Sequence, residues 1–236
     1  MDMLERQRLN RQYLLEAMDL LEAQGIIYPE GHREMVLEKY CDFKYPNIIK
    51  RVGNPNIRKH FAYGSVLERE GLLLDDGCGT GDDIRMFIKD GYPKGNVKGF
   101  DVFWKGIRLG YDLYLDKEGL NGVFRVRKKP SLVFKPESFD VVYSGSVLHG
   151  LERGSQIESY LSNAREMLRE KGLIFGSTIG ADESDPKNDT GPRTKLLESE
   201  LRDYLRGSGF DRIRIKIAET GEPRGPRYRL WFSGVV

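Results

Sequence analysis

Histidine, cysteine and net charge are all scarce in this chain of 236 residues. The three histidines, His32, His60 and His149, and the two cysteines, Cys41 and Cys78, form no H-x-x-x-H or Cys/His spacing that would hold a metal. Two cysteines also exclude a disulfide framework and fit a reducing, cytoplasmic setting. A formal net charge of +2 argues against a protein built to grip nucleic acid, which shows a basic excess, so no nucleic-acid partner is expected. Nowhere do about eighteen apolar residues run together, so no membrane span is expected. The opening Met1-Asp2-Met3-Leu4-Glu5-Arg6 is charged and does not read as a signal peptide. No internal repeat or low-complexity tract is present. The length suits one large α/β domain with an extension.

What the chain does have is concentrated in Gly71-Leu72-Leu73-Leu74-Asp75-Asp76-Gly77-Cys78-Gly79-Thr80-Gly81. It reads as a buried strand, an acidic residue at its carboxyl end and a turn with glycine at alternate positions. Gly77, Gly79 and Gly81 remove side chains where backbone must pass close to a ligand. Asp75 stands where open α/β sheets bind small molecules. A helix pattern follows, with Ile84, Phe87 and Ile88 on one stripe. The turn is not a dinucleotide fingerprint: counting G-x-G-x-x-G from Gly77 puts Asp82 where the last glycine belongs. It is not a P-loop either, because no Lys precedes a Ser or Thr. Asp82 and Asp83 at the helix start suit the helix dipole and would repel a phosphate. The expected ligand is cationic or zwitterionic.

Along the chain, residues 3–24 read as a helix with Leu14, Met18 and Leu21 on one stripe, widened by Leu15, and ended by Gly25. A second helix fits 30–40. Residues 42–63, with Pro46, Gly53, Pro55 and several aromatics, read as an irregular cap. From Gly71 strands and helices alternate, the mark of a mostly parallel sheet. Strands are predicted at Leu72–Asp75, Val97–Asp101, Gly122–Val126, Phe139–Ser144, Leu173–Ser177, Arg212–Ile217 and Arg227–Phe232. Helices are predicted at 81–91, 104–116, 154–170 and 194–208. Lys171-Gly172 marks a turn. Asp101 ends its strand twenty residues after Gly81, where an acid accepts hydrogen bonds from ribose hydroxyls; alone it could equally cap the helix that begins near Trp104.

Asp-x-Gly-x-Gly-x-Gly at a strand end resembles the first motif of the class I methyltransferases, which bind S-adenosylmethionine. That ligand carries a sulfonium and an amino acid group and no phosphate. The run Phe134-Lys135-Pro136-Glu137-Ser138-Phe139-Asp140-Val141-Val142-Tyr143-Ser144 resembles the segment before and within the family's fourth strand, and Ser146-Val147-Leu148-His149 continues it. Arg165–Gly172 resembles the helix and turn that lead to its fifth strand. Within the family, Asp90-Gly91-Tyr92-Pro93, Asn96–Asp101 and Leu109–Asp116 look like the fungal methyltransferases of meroterpenoid biosynthesis, which share an N-terminal extension with a Tyr-Pro element, here Tyr45-Pro46. Members are thought to methylate a carboxylic acid or hydroxyl of a natural-product intermediate.

The resemblance implies a Rossmann-like, seven-stranded methyltransferase sheet, mostly parallel with the last strand antiparallel, over residues 71–236, and an N-terminal helical cap over 1–70. It implies S-adenosyl-L-methionine as cofactor, held by Asp75, Gly77, Cys78, Gly79, Gly81, Asp101, Val102, Ser144 and Gly145. It implies a small-molecule acceptor beneath the cap, with Tyr45 and Tyr63 among the candidate lining; these aromatics could equally be core. The N-terminal helix could serve a homodimer contact as readily as a lid. Two positions depart from the family. Asp76 stands where an apolar residue is usual. After the third strand many members carry an Asp for the adenine amino group, and alignment on Phe134 puts Lys128 there, which cannot accept that hydrogen bond.

Methyl transfer by direct displacement needs no covalent enzyme step, so Cys78 is read as a small turn residue. A base is needed only where the acceptor keeps its proton: a carboxylic acid (about 4.3) is already ionised near neutrality, a phenol (about 10) is not. His149, just past the fourth strand, is the candidate catalytic base, with substrate orientation as its other reading. Arg125, Arg127, Lys128 and Lys129 read as a solvated loop, and Arg212, Arg214 and Lys216, alternating with isoleucines, as a strand with one wet face. Rival readings are an RNA or protein methyltransferase, a regulatory protein that keeps the fold without turnover, and a dehydrogenase.

Overall fold

A computed structural model describes residues 2–181, 194–220 and 228–236. The strand Leu73–Asp76 (β1) is buried along its whole length, as a continuous apolar run inside a parallel sheet must be. It is followed by helix Asp82–Lys89 (α5), strand Val97–Asp101 (β2), helix Trp104–Tyr114 (α6) and strand Phe124–Val126 (β3). Then come strand Phe139–Gly145 (β4), helix Ser155–Met167 (α7), strand Leu168–Gly180 (β5), helix Glu198–Gly207 (α8), and strands Asp211–Glu219 (β6) and Tyr228–Val235 (β7). They form one seven-stranded sheet in the order β3-β2-β1-β4-β5-β7-β6. Pairs among β1 to β5 are parallel, and β7 runs antiparallel to both β5 and β6. The predicted seven strands with an antiparallel last one are what the chain builds.

Strand order reverses between β1, which feeds β2 and β3 on one side, and β4 on the other. The glycine turn after β1 therefore sits at the switch point, where an open sheet leaves a crevice. One face of the sheet is covered by α5, through Ile84 and Phe87, together with Ile57, Tyr63 and Val66 from the N-terminal region. The other is covered by α7 and α8, through Ile157, Leu161, Leu201 and Leu205.

Ahead of the sheet lie helices Met3–Ala23 (α1), His32–Tyr40 (α2), Pro46–Ile49 (α3) and Tyr63–Leu67 (α4). Leu14, Met18 and Leu21 are buried as the stripe predicts, against Val36, Leu37, Ile49 and the α6 residues Leu109 and Leu113. The apolar stripe of α1 is thus covered within the chain. Asn10, fully buried, donates its Nδ2 hydrogens to the carbonyls of Cys41 and Phe43 and fixes the irregular segment that follows α2. His60 ties this region to the sheet: Nε2 lies 3.0 Å from the Gly176 carbonyl and 3.1 Å from that of Phe232, while Nδ1 accepts from the Ala62 amide at 3.0 Å. Both ring nitrogens are used by a neutral imidazole that donates from Nε2, and burial lowers its pKa to about 4.

Several predicted boundaries move. The helix predicted at 154–170 stops at Met167, because the chain turns into β5 at once. The Lys171-Gly172 turn is real but lies inside β5: Lys171 has φ +61°, and the register against β4 jumps from Phe139↔Leu168 to Val141↔Leu173. The last strand starts at Tyr228; Arg227, its predicted first residue, lies outside the described residues. Arg125, Arg127, Lys128 and Lys129 are all exposed. Among the described residues no helix is long and apolar enough to cross a membrane.

Candidate active site

The crevice opens above the carboxyl ends of β1, β2, β4 and β5. Gly77, Cys78, Gly79, Asp101 and Gly145 line it, with Thr80, Asp83, Tyr143, Ser146, His149 and Ser177. Asn47, Ile48 and Arg51, from α3 and the turn after it, form one wall, and Arg229 of β7 closes the far end.

The turn itself follows from its glycines. Gly77, Gly79 and Gly81 have φ of +95°, +56° and +79°, which side chains with a Cβ rarely adopt. Its position is set from β2: the Gly77 and Cys78 amides donate to the Phe100 carbonyl at 2.8 and 3.0 Å. Asp101 completes the anchor. Its Oδ2 accepts from the Gly79 amide at 2.8 Å and its Oδ1 from the Phe103 amide at 2.8 Å. Each oxygen keeps lone pairs for a further donor. Burial raises the Asp101 pKa, and the backbone amides of Gly79, Phe103 and Val102 oppose that rise.

Acid is concentrated under the turn. Asp75 is 1% exposed, and burial, then Asp83 and Asp101, hold its carboxyl well above the usual carboxylate range. Burial, then Asp82, pushes Asp83 up to about 7, with Arg51 and the Tyr143 hydroxyl pulling the other way. Among the described residues, Asp75 Oδ2 and Asp83 Oδ1 are buried oxygens with no hydrogen-bond partner. Asp82 has another task. It accepts from the Gly53 amide at 2.8 Å and from the Thr80 and Tyr114 hydroxyls, tying the N-terminal region to α5 and α6. Asp76 faces the opposite side of the sheet, 3% exposed, and burial, then Asp101, pushes its pKa up to about 7. The Tyr160 hydroxyl bridges the Asp76 backbone carbonyl, at 3.0 Å, and Ser144 Oγ, at 2.8 Å.

Of the residues picked from the sequence, Gly77, Cys78, Gly79, Asp101, Gly145 and His149 converge on the crevice. Asp75 lies beneath the turn, and Gly81 starts α5 as its N-cap. Ser144 is fully buried under the crevice floor, and Val102 is 67% exposed beside Asp101. The structure does not bring Tyr45 or Tyr63 to the crevice. Tyr63 packs on Phe87 in the core and donates its hydroxyl to Asp90 at 2.8 Å. Tyr45 packs edge-on against Phe103. The residues missed are Arg51, Ser146, Ser177 and Arg229. No short motif marks them, because they come from four separate segments that meet only in the folded sheet.

Residues 74–174 match the model of a methyltransferase domain. The O-methyltransferase atr3 of Stereocaulon alpinum is 26% identical over 149 residues, which cover 61% of this chain and 39% of that protein. The methyltransferase trt5 of Aspergillus terreus is 35% identical over 116 residues, covering 46% of this chain and 41% of that one. The methyltransferase adrK of Penicillium rubens is 28% identical over 141 residues, covering 57% and 50%. The chain thus spans about half or less of the length of the curated relatives it matches. Among solved structures, a Burkholderia thailandensis 1,6-didemethyltoxoflavin N1-methyltransferase with bound S-adenosylhomocysteine has a TM-score of 0.59 at 18% identity, covering 89% of this chain and 92% of that one. A Haemonchus contortus phosphoethanolamine N-methyltransferase has a TM-score of 0.60 at 14% identity, covering 82% and 56%. Identities this low speak for the fold. Residues 74–174 thus match a methyltransferase domain on the sheet of a class I S-adenosylmethionine-dependent methyltransferase, and the chain resembles the fungal natural-product members of that group.

Proposed function

We propose that this protein transfers the methyl group of S-adenosylmethionine to an oxygen, carboxylate or hydroxyl, of a small natural-product intermediate. The observation that carries the reading is the pairing of Asp101 with the Gly79 amide. One carboxylate both holds the glycine turn in shape and presents its remaining lone pairs to the crevice, where ribose hydroxyls would donate to them.

The residues present fit the cofactor. Its two positive groups, ammonium and sulfonium, suit a crevice underlain by Asp75 and Asp83, each with one buried oxygen that has no hydrogen-bond partner among the described residues. The absence of a phosphate suits the negative charge at the start of α5. Val102, apolar and exposed next to Asp101, offers a surface for the adenine ring. When bound, S-adenosylmethionine supplies a methyl carbon activated by its sulfonium.

The chain's own residues then do three things. The wall of Asn47, Ile48 and Arg51 excludes water and confines the acceptor beside Gly145. Holding acceptor and methyl carbon in line supplies much of the rate, up to about 7–11 kcal/mol of barrier in favourable cases. His149, in the turn Leu148–Gly150 after β4, takes the proton from a phenolic acceptor; a carboxylate acceptor arrives without one. The test is incubation with isotopically labelled S-adenosylmethionine and fungal extract fractions, followed by mass spectrometry for labelled products. Labelled ester or ether carbons support the reading; label on nitrogen or in macromolecules only would reject it.

A further inference from the structure

One carboxylate joins the acceptor-side wall to the glycine turn. Asp82, the first residue of α5, is 8% exposed, and both of its oxygens are engaged by groups of the protein. Oδ1 accepts from the Gly53 amide at 2.8 Å and from the Tyr114 hydroxyl of α6, and Oδ2 accepts from the Thr80 hydroxyl within the turn. A carboxylate has acceptor positions on both oxygens, so it gathers donors from three separate segments at once, and each of these bonds is charge-assisted. Its place at the start of α5 also suits the helix dipole.

The wall is stiff on its own account. The amides of Lys50, Arg51, Val52 and Asn54 donate to the carbonyls of Pro46, Ile48, Ile49 and Arg51 at 3.0–3.1 Å. Ile49 and Val52 are buried against α1 and α6. Gly53, two residues after Arg51, is clamped from both sides. Its amide is shared between Asp82 and Tyr114 Oη, the latter at 3.0 Å, and its carbonyl accepts from Gln24 Nε2, just past α1, at 3.0 Å. Its φ of +75° is one that glycine adopts without strain. Ile48 meanwhile lies over the turn: a methyl group on Gly79 would stand 3.6 Å from Ile48 Cγ2. Gly79 is the residue whose amide Asp101 holds. The wall thus meets the glycine turn at two points, one apolar and one charged, with a stiff segment between them that carries Arg51.

Resting on the reading above, in which the cofactor fills the turn and the acceptor lies beside the wall, we infer that Asp82 is a positioning residue that couples the two halves of the site: a cofactor seated on the glycine turn fixes, through Thr80, Asp82 and Gly53, the wall that confines the acceptor. Once a ligand holds the turn, the Thr80 hydroxyl and the start of α5 lose their freedom, and the Gly53 amide bonded to Asp82 loses it with them. Ordering of the wall that the cofactor has already brought about is not repeated when the acceptor binds, which is positive coupling between the two ligands. Asp82 acts through Gly53 and not on the reacting atoms; the proton chemistry stays with His149.

The test is amide hydrogen exchange, read by mass spectrometry on the full chain, free and saturated with S-adenosylhomocysteine. The ligand should slow exchange over residues 47–56 by about tenfold or more, along with that over 77–81. In Asp82→Ala saturated with the same ligand, the slowing should persist over 77–81 and disappear over 47–56. Asp82→Asn, which keeps an acceptor for the Gly53 amide, should restore it. Tyr114→Phe, which removes a hydroxyl from both Asp82 and the Gly53 amide, should lose part of it, and it keeps the test valid where Asp82→Ala does not fold. A merely structural role would speed exchange over 47–56 with and without the ligand alike and leave their ratio as it was; that result overturns the inference. So does an unmodified protein in which the ligand leaves 47–56 unaffected, or an Asp82→Ala variant that folds and no longer binds the ligand, which would place Asp82 on the cofactor itself. Failure of the unmodified protein to bind S-adenosylhomocysteine at all would instead reject the methyltransferase reading beneath it.

Discussion

Gly110 of α6 lies so close to the glycine turn that a methyl group on it would stand 2.0 Å from the Thr80 carbonyl oxygen. Gly106, one turn earlier, would meet the Gly79 carbonyl at 2.9 Å. The helix after β2 therefore presses its backbone against the loop that forms the crevice, and both glycines are fixed by packing, since neither has a positive φ. Gly110→Ala should gain a little helix propensity, at most about 1 kcal/mol, and lose more to overpacking, about 1–3 kcal/mol. The net expectation is a lower melting temperature together with weaker S-adenosylhomocysteine binding, because the clash falls on the turn itself. Thermal unfolding and calorimetry on one variant check both.

Asp76 gives a pH-dependent prediction. Its folded pKa, raised to about 7, exceeds the ordinary carboxylate value, so its neutral form is the one the fold tolerates. The penalty is absent below the unfolded pKa of about 4, grows as pH rises from there to about 7, and is constant above that. Asp76→Asn removes the ionisation and keeps the shape. The variant should come close to the parent protein at or below about pH 4 and melt higher near pH 8; an equal gap at both values would show that charge at Asp76 is not the cause.

His60 behaves in the opposite sense. Its folded pKa is depressed to about 4, so the neutral ring contributes stability that is complete above its unfolded value of about 6.5 and is lost as pH falls towards 4. The amount is on the order of 3 kcal/mol. His60→Ala should lower stability at pH 7.5 by about 2–4 kcal/mol, since it leaves two sheet carbonyls and the Ala62 amide without the ring. It should also flatten the acid limb of the stability profile, measured by urea unfolding between pH 4 and 8.

How far the sequence could be read depends on the range of each interaction. The parallel sheet was legible because each strand is a local apolar run and each turn a local glycine signal. The glycine turn and Asp101 were legible because strand–turn–helix–strand puts them together by chain order alone. Tyr45 and Tyr63 were misplaced because an aromatic in an irregular segment has no periodicity to say which way it faces. Tyr63 turned into the core to meet Phe87 and Asp90. Arg51 and Arg229 were invisible for the reverse reason: they are 178 positions apart and meet only because β7 inserts beside β5 while the N-terminal region folds back over the crevice.

His149 separates acceptor classes. It lines the crevice beyond β4, beside the proposed acceptor position. His149→Ala should reduce kcat on a phenolic acceptor by about 100-fold or more, the usual contribution of a general base, and on a carboxylate acceptor far less. Steady-state kinetics with one acceptor of each kind decides the matter; unchanged rates on both would remove any role for the imidazole.

The most direct measurement of the central claim is calorimetric titration of the protein with S-adenosylhomocysteine, with NAD as the comparison ligand. The account predicts binding of the first and none of the second, and a loss of about tenfold to a hundredfold in S-adenosylhomocysteine affinity for Asp101→Ala, which removes both the ribose acceptor and the anchor on the Gly79 amide. Heat from NAD alone, or S-adenosylhomocysteine affinity indifferent to Asp101→Ala, would contradict it.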